Sequence, residues 1–262
     1  FYTPTETAKY CYDVFCEKLK NLNVDESILS YIEPSAGAGA FLDVLPENRT
    51  IALDVEPRDD RIEEQDYLTW SPSKEQSYVV FGNPPFGLRG QLALKFVNHS
   101  HNFADFVCFI LPQLFESDGK GSPRKRVKGY NLYHTEKLDT VFQEPDGKEV
   151  RVECIFQIWS KHYTNKSLEI QSFDSSHFKV YSLSNGKLPS QQRNTKMIDK
   201  CDVYLPSTCF GANNMICYSS FESLPGQKGY GIVFNHEKEK MIQISKKINW
   251  ADVSFLSTNS AH

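Results

Sequence analysis

Two consecutive prolines, Pro84 and Pro85, end the apolar run over residues 78–81 and constrain the chain more than any other feature. Each ring fixes φ near −65° and removes a backbone donor, so a strand cannot continue through them. Pro84 also excludes Asn83 from the helical region. The stretch Gly82-Asn83-Pro84-Pro85-Phe86-Gly87 is therefore a stiff corner at a strand end, holding a carboxamide and an aromatic ring between two glycines. A carboxamide offers two donors and an oxygen with two lone pairs. Beside a planar ring it suits an amide or aromatic amine gripped at its edge and stacked on its face. The same residues also suit an ordinary Pro-rich turn, and a short motif alone does not separate the two.

The flanking chain alternates strand and helix signals. Residues 1–5 are extended, and Thr5 with Glu6 reads as an N-cap region. Ala8, Cys11, Tyr12, Phe15, Cys16 and Leu19 then recur at helical spacing. Tyr31-Ile32-Glu33 is a short strand ending in an acid, and Ser35-Ala36-Gly37-Ala38-Gly39-Ala40 leads into a helix expected over 41–45. Strand, small residues and helix N-terminus is an arrangement in which backbone N–H groups face a ligand unobstructed. Residues 50–54 form a second strand ending in Asp54, where a ribose hydroxyl binds in doubly wound folds. Asp66, in the loop of a third strand, could meet an adenine amino group. Residues 78–81 are the fourth strand, 88–98 a helix packed through Leu92, Leu94, Phe96 and Val97, and 103–111 a fifth strand. Such alternation predicts a mostly parallel α/β sheet. Glu33, Asp54, Asp66 and Asn83 then converge beyond the carboxyl ends of its strands, where ligands of these sheets bind.

Beyond Pro112, residues 116–129 carry Lys120, Arg124, Lys125, Arg126 and Lys128 among Gly, Ser and Pro, a flexible basic loop suited to phosphates or simply to solvent. Residues 138–142, a Glu144-Pro145-Asp146-Gly147 turn and residues 150–159 read as a β-hairpin. It completes a seven-stranded sheet with one antiparallel edge pair. From residue 161 helical periodicity disappears, and short strands are expected at 178–183, 201–205, 229–234 and 241–247. This reads as a small β-rich appendage whose Arg193, Lys196, Tyr218, Lys228 and Tyr230 could touch a polymer substrate.

A hydrophobic content of 40% in 262 residues supports a real core, and a net charge of −4 argues against a uniformly basic coat for nonspecific nucleic-acid binding. The seven cysteines contain no C-x-x-C pair, which signals neither zinc nor a redox motif. Reduced thiols in a cytoplasmic or nuclear compartment are expected. No membrane span or signal peptide is expected from the hydropathy pattern.

Together, Phe1-Tyr2-Thr3-Pro4, Glu33-Pro34-Ser35-Ala36-Gly37-Ala38-Gly39-Ala40-Phe41, Asp54, Asp66-Tyr67-Leu68 and Asn83-Pro84-Pro85-Phe86 resemble the S-adenosylmethionine-dependent N6-adenine DNA methyltransferases, in the motif order of their gamma group. The resemblance implies a class I methyltransferase fold: a Rossmann-like, seven-stranded, mostly parallel sheet with an antiparallel edge hairpin over residues 1–160. Residues 161–262 would be a β-rich target-recognition appendage or insertion. It implies S-adenosylmethionine as cofactor, with Tyr2, Thr3, Pro4, Glu33, Ser35, Ala36 and Gly37 about its methionine part. Asp54 would hold its ribose, Asp66 its adenine amino group, and Tyr67 or Leu68 its ring, with Asn83 also in contact. Asn83, Pro84, Pro85 and Phe86 would be the catalytic corner: Asn83 and the Pro84 carbonyl accept from the target amino group, and Phe86 stacks on the base. Phe142 would clamp the base from the hairpin, and Lys120, Arg124, Lys125, Arg126 and Lys128 would meet the substrate's phosphates. The family's corner often ends in Tyr, so Phe86 stacks but lacks the hydroxyl. No metal is implied.

Two acceptors facing an exocyclic amine favour a pyramidal nitrogen whose lone pair is released from the ring, so alignment with an activated methyl suffices without a strong base. Within a duplex the adenine must be flipped out. DNA is favoured over RNA as partner because the Tyr-Thr-Pro opening and Glu-Pro-Ser-Ala-Gly loop look like the DNA enzymes. Similar corners serve methyltransferases acting on RNA adenine, guanine N2 and protein glutamine. A catalytically silent nucleic-acid-binding subunit of a modification complex is the other alternative, and a protein partner could supply specificity. The setting would be prokaryotic, phage or viral cytoplasm, with restriction–modification as one context, or the nucleus if eukaryotic. A dehydrogenase is disfavoured because Gly-x-Gly-x-x-Gly is missing.

Overall fold

The computed structural model describes residues 2–117, 122–143, 147–169, 176–207 and 214–250. Two compact units divide the chain, the first over Phe1–Ile170 and the second over Gln171–Ser260.

In the first unit, helix α1 (Thr5–Leu22) precedes strands β1 (Ser30–Glu33), β2 (Thr50–Asp54), β3 (Glu63–Glu64) and β4 (Tyr78–Gly82). Helix α2 (Gln91–Ser100), β5 (Ala104–Pro112), β6 (Asn131–Leu138), β7 (Val141–Gln143), β8 (Glu149–Arg151) and β9 (Cys154–Ser160) follow. The main sheet has the order β3-β2-β1-β4-β5-β9-β6, in which β9 pairs antiparallel with both β5 and β6. That is the class I methyltransferase sheet, with the order reversing between β1 and β4. In an open α/β sheet this reversal opens the ligand crevice.

The side chains of consecutive strand residues point to opposite faces. In β4, Val79 and Phe81 join Ala8, Cys11, Phe15 and Leu19 of α1 in one core. Val80 joins Ala93, Leu94, Phe96 and Val97 of α2 in the other. The four α1 residues lie at helical spacing because only that stripe meets the sheet. Left-handed Asn23 stops α1, and the Asn23 and Val24 amides donate to the Lys20 and Leu19 carbonyls.

Several local expectations change. Thr5 lies in the first turn of α1, and the cap position is Pro4, which offers no side-chain acceptor. No helix forms over 41–45; residues 34–45 are a run of turns, with Gly37 and Gly39 at positive φ and Pro46 closing the segment. Helix α2 begins at Gln91 and not at residue 88, because Arg89 and Gly90 are left-handed. The hairpin expected over 138–159 resolves into a separate β7–β8 ribbon and the core strand β9, which pairs with β6. β6 has no clean alternation in its sequence, where adjacent Leu132 and Tyr133 are followed by four polar residues. Glu144, Pro145 and Asp146 of the expected turn lie outside the described residues.

The second unit contains a four-stranded antiparallel sheet of order β11-β10-β13-β12. Its strands are β10 (Phe178–Asn185), β11 (Gln192–Arg193), β12 (Val203–Pro206) and β13 (Lys228–Phe234). Residues 241–247, expected as a strand, lie in helix α3 (Lys238–Lys247), whose Met241 and Ile242 pack against Val203, Leu205, Ile232 and Phe234. Leu183, Tyr204, Phe221 and Leu224 form a second small cluster in this unit. No helix among the described residues is long and apolar enough to cross a membrane.

Candidate active site

Glu33 ends β1, Asp54 ends β2, Asp66 lies two residues past β3, and Asn83 immediately follows β4. All four line one cavity of about 580 Å³ in the first unit. This volume suits a nucleoside-sized ligand. The parallel sheet explains the convergence, since strands running the same way deliver their last residues to the same edge.

Beyond β4 the corner is held from both sides. Asn83 Nδ2 donates to Thr3 Oγ1 at 3.1 Å, and Ser35 Oγ donates to the Asn83 carbonyl at 3.2 Å. The carboxamide is thus anchored through its nitrogen, and Asn83 Oδ1 is left buried without a hydrogen-bond partner. An unmet buried acceptor costs about 1–3 kcal/mol, so its retention marks a place where a donor is expected. Pro84, Pro85 and Phe86 also line the cavity. The Phe86 carbonyl accepts from the Leu92 and Ala93 amides, which fixes the corner to the start of α2.

Asp54 is fixed by two backbone amides: Gly37 N–H donates to Oδ2 at 2.8 Å and Glu56 N–H to Oδ1 at 2.8 Å. Each oxygen retains a lone pair. The Ala36 amide donates to Leu53 and the Gly39 amide to Ala36. The expected picture of free amides at a helix N-terminus is therefore corrected for these three: the Ala36 and Gly37 amides hold the loop to β2, and the Gly39 amide closes a turn within it. A Cβ on Gly37 would lie 3.4 Å from the Tyr2 ring.

Glu33 is 1% exposed, and its Oε2 has no partner. Burial pushes its carboxyl well above the usual range, with Asp54 and then Asp43 adding to the rise and Arg61 opposing it. Asp66 Oδ1 accepts from the Leu68 amide at 2.9 Å. Tyr67 lines the cavity but sends its hydroxyl to Ser100 Oγ at 2.6 Å, inside the α2 core. Leu68 packs beside that same core and does not line the cavity, nor does Pro4.

The opening residues reach the site through a long-range pairing. The Tyr2 amide donates to the Gln143 carbonyl at 2.7 Å, and the Gln143 amide returns a bond at 3.2 Å. This bridge brings Tyr2 and Thr3 beside β7, whose Phe142 is buried and lines the cavity. Arg58 was not anticipated; it lines the cavity with its guanidinium 5.5 Å from the Tyr2 ring centroid. Its place in the loop after β2, just past Asp54, was the available signal.

None of the basic residues from 124 to 128 lines the cavity. Arg124 Nη1 donates to the Glu116 carbonyl, and Arg126 Nη1 to Gln91 Oε1 at 3.1 Å. Lys125 and Lys128 are exposed. Lys120 lies outside the described residues.

The fold and the cavity define a class I methyltransferase architecture with its ligand crevice at the β1–β4 reversal. No protein-family model matches the chain, and no curated protein matches it. Among solved structures it is similar to a Pyrococcus horikoshii protein provisionally described as an RNA methyltransferase, at 17% identity and a TM-score of 0.45, over 61% of this chain and 85% of that one. It is also similar to a structure from a type I restriction–modification system, at 13% identity and 0.44, over 62% of this chain and 42% of that one. A third is the modification subunit of a provisionally assigned type I restriction enzyme from Vibrio vulnificus, at 12% identity and 0.42, over 93% and 61%.

Proposed function

We propose that this chain transfers a methyl group from S-adenosylmethionine to the exocyclic N6 of adenine in DNA, acting on a base turned out of the duplex. The observation that carries the reading is Asn83: its nitrogen is committed to Thr3, and its buried oxygen is left open beside Phe86. An amine arriving there finds an acceptor for one proton, and the aromatic ring gives the base a face to stack on.

The donor set fits the cofactor. Glu33 supplies a buried carboxyl without a partner, which a cationic ammonium would satisfy. Asp54, aligned by two amides, keeps lone pairs for a ribose diol, and Asp66 keeps Oδ2 for an adenine amino group. When bound, S-adenosylmethionine supplies a methyl group already activated on a sulfonium. The protein's part is alignment: the Asn83 oxygen holds the amine so that its lone pair points along the transfer axis. The second unit is the element available for target recognition, alone or with a protein partner. Incubation with labelled S-adenosylmethionine and matched DNA, RNA and protein pools, followed by nucleoside mass spectrometry, tests this. N6-methyladenine is expected in DNA; label confined to RNA or protein would displace the DNA reading, and no label in any pool would defeat it.

A further inference from the structure

The turn after the corner has a feature that adenine capture does not use. Leu88 is 79% exposed, more than any other large hydrophobic side chain of the described residues, and it sits directly after cavity-lining Gly87. The turn presenting it is stiffly built. Gly87, Arg89 and Gly90 all have positive φ, and the Gly90 amide donates to the Gly87 carbonyl. A Cβ on Gly90 would lie 3.1 Å from Phe115 and 3.5 Å from Pro112 and Pro123, so the base of the turn rests on packed core. Left-handed geometry at a non-glycine residue is costly and persists only where the surroundings enforce it. Here it is spent on projecting an apolar tip and the exposed Arg89 into solvent.

A basic segment reaches the base of that turn despite the chain's acidic balance, with Pro123 3.5 Å from where a Cβ on Gly90 would lie. The segment over 123–128 packs along α2 through Arg126 to Gln91, Asn98 to the Arg126 carbonyl, and the Lys128 amide to Asn98. Within it Lys125 and Lys128 are exposed, as is Arg89 beside Leu88. An exposed apolar tip with Arg89 next to it, beside a base-sized cavity, matches the chemistry of a distorted duplex: a gap in the base stack, bordered by phosphates.

We infer that Leu88 is a wedge that enters duplex DNA at the target position and fills the stack vacated by the adenine, while Arg89 contacts the flanking backbone. The inference rests on the proposed adenine methylation and adds how the base is extracted. Leu88 is a positioning residue, since it acts on the duplex and not on the reacting atoms. Its contribution vanishes when the target is already unpaired, because flipping then costs least.

The test uses the full chain, a matched duplex carrying the unmodified target adenine, and the same duplex with an abasic site opposite that adenine. Leu88→Ala is expected to lower kcat/KM on the matched duplex by about tenfold or more and to leave the abasic-opposed duplex within about twofold. With 2-aminopurine at the target, the fluorescence rise of the wild type in the matched duplex is expected to be lost in Leu88→Ala and restored in Leu88→Phe. Equal behaviour of wild type and Leu88→Ala on both duplexes, or an equal loss on both, overturns the wedge while methylation itself stands. A wild type inactive on both duplexes overturns the functional reading and the wedge together. Unchanged melting of Leu88→Ala, expected from its exposure, removes misfolding as the origin of any loss.

Discussion

Replacing Glu33 by glutamine tests whether the cavity stores an unmet charge requirement. In the wild type the carboxyl is buried, lacks a partner at Oε2, and faces Asp54 and Asp43, with Arg61 the opposing cation. Its folded-state proton affinity is therefore raised. In the unfolded chain the same carboxyl loses its proton near about pH 4.3. Above that pH the unfolded state binds fewer protons than the folded one, so Glu33's contribution is fully present at low pH and is lost as pH rises through the raised value. The amide of Glu33→Gln cannot titrate, and the two proteins are expected to melt alike near about pH 4.5 and to diverge toward pH 8. A buried charge without a partner costs at least as much as an unsatisfied polar group, about 1–3 kcal/mol, and 1 kcal/mol moves the midpoint of a 150–250-residue domain by about 2–4 °C. Glu33→Gln, which removes the buried charge, should thus melt about 2–12 °C above wild type at pH 8 in the absence of ligand. Calorimetry across this pH range reads the difference directly, and groups common to both proteins cancel. Parallel pH profiles, or a variant less stable than wild type throughout, would refute the argument that Glu33 is held without a partner. The same variant should bind S-adenosylmethionine at least about tenfold more weakly by titration calorimetry, since the cation loses its carboxylate.

Two further substitutions separate chemistry from scaffold. Asn83→Ala removes the only unmet acceptor of the corner's side chains among the described residues and should abolish turnover while keeping cofactor affinity within about threefold. Loss of cofactor binding there would mean that the corner belongs to the cofactor and not to the acceptor. Gly87→Ala would place a Cβ 2.7 Å from Leu92 Cβ at φ +64°, costing about 1–3 kcal/mol. It should lower the melting midpoint and turnover together, and a variant with unchanged melting would show that the turn relaxes freely.

The chain's strands were legible where burial is two-sided. Residues 31–33, 50–54, 78–81 and 103–111 are short apolar runs, as strands covered on both faces must be, and the acid or amide closing the first, second and fourth strands was legible with them. What failed was non-local or ambiguous in period. In residues 241–244, Met-Ile-Gln-Ile fits alternation through Ile242 and Ile244 as well as a helix. The second unit selects the helix by packing partly buried Met241 and Ile242 on its core and leaving Ile244 exposed. The loop over 34–45 carries helix-compatible residues, but Asp54 captures the Gly37 amide from outside, a competition no local propensity records. The Tyr2–Gln143 bridge joins chain positions too far apart for any periodic signal. For the site, residue identity at strand ends revealed the acids and Asn83, whereas the exposed Leu88 turn depends on backbone angles that Gly87 and Gly90 permit without announcing.

The unmet polar atoms give the strongest physical link between the fold and what it does. Among the described residues, four buried side-chain atoms lack a hydrogen-bond partner: Glu33 Oε2, Asn83 Oδ1, His134 Nε2 and Glu136 Oε1. His134 Nε2 lies 3.1 Å from Glu136 Oε2 on β6, so these two side chains face one another. Glu33 and Asn83 have nothing comparable, and both line the same cavity. Their demands differ. A buried carboxyl is relieved by a cation or by its own protonation, whereas a carboxamide oxygen cannot change charge and is relieved only by a donor. A water molecule could serve Asn83 but would leave a charged Glu33 short of compensation. One neutral ligand could serve Glu33 only in its protonated form. The site thus presents two demands at once, positive charge at Glu33 and an N–H donor at Asn83. The proposed pairing of a cationic methyl donor with an amine acceptor would meet both, and occupancy of either half alone is then expected to leave the other half of the stabilisation unclaimed.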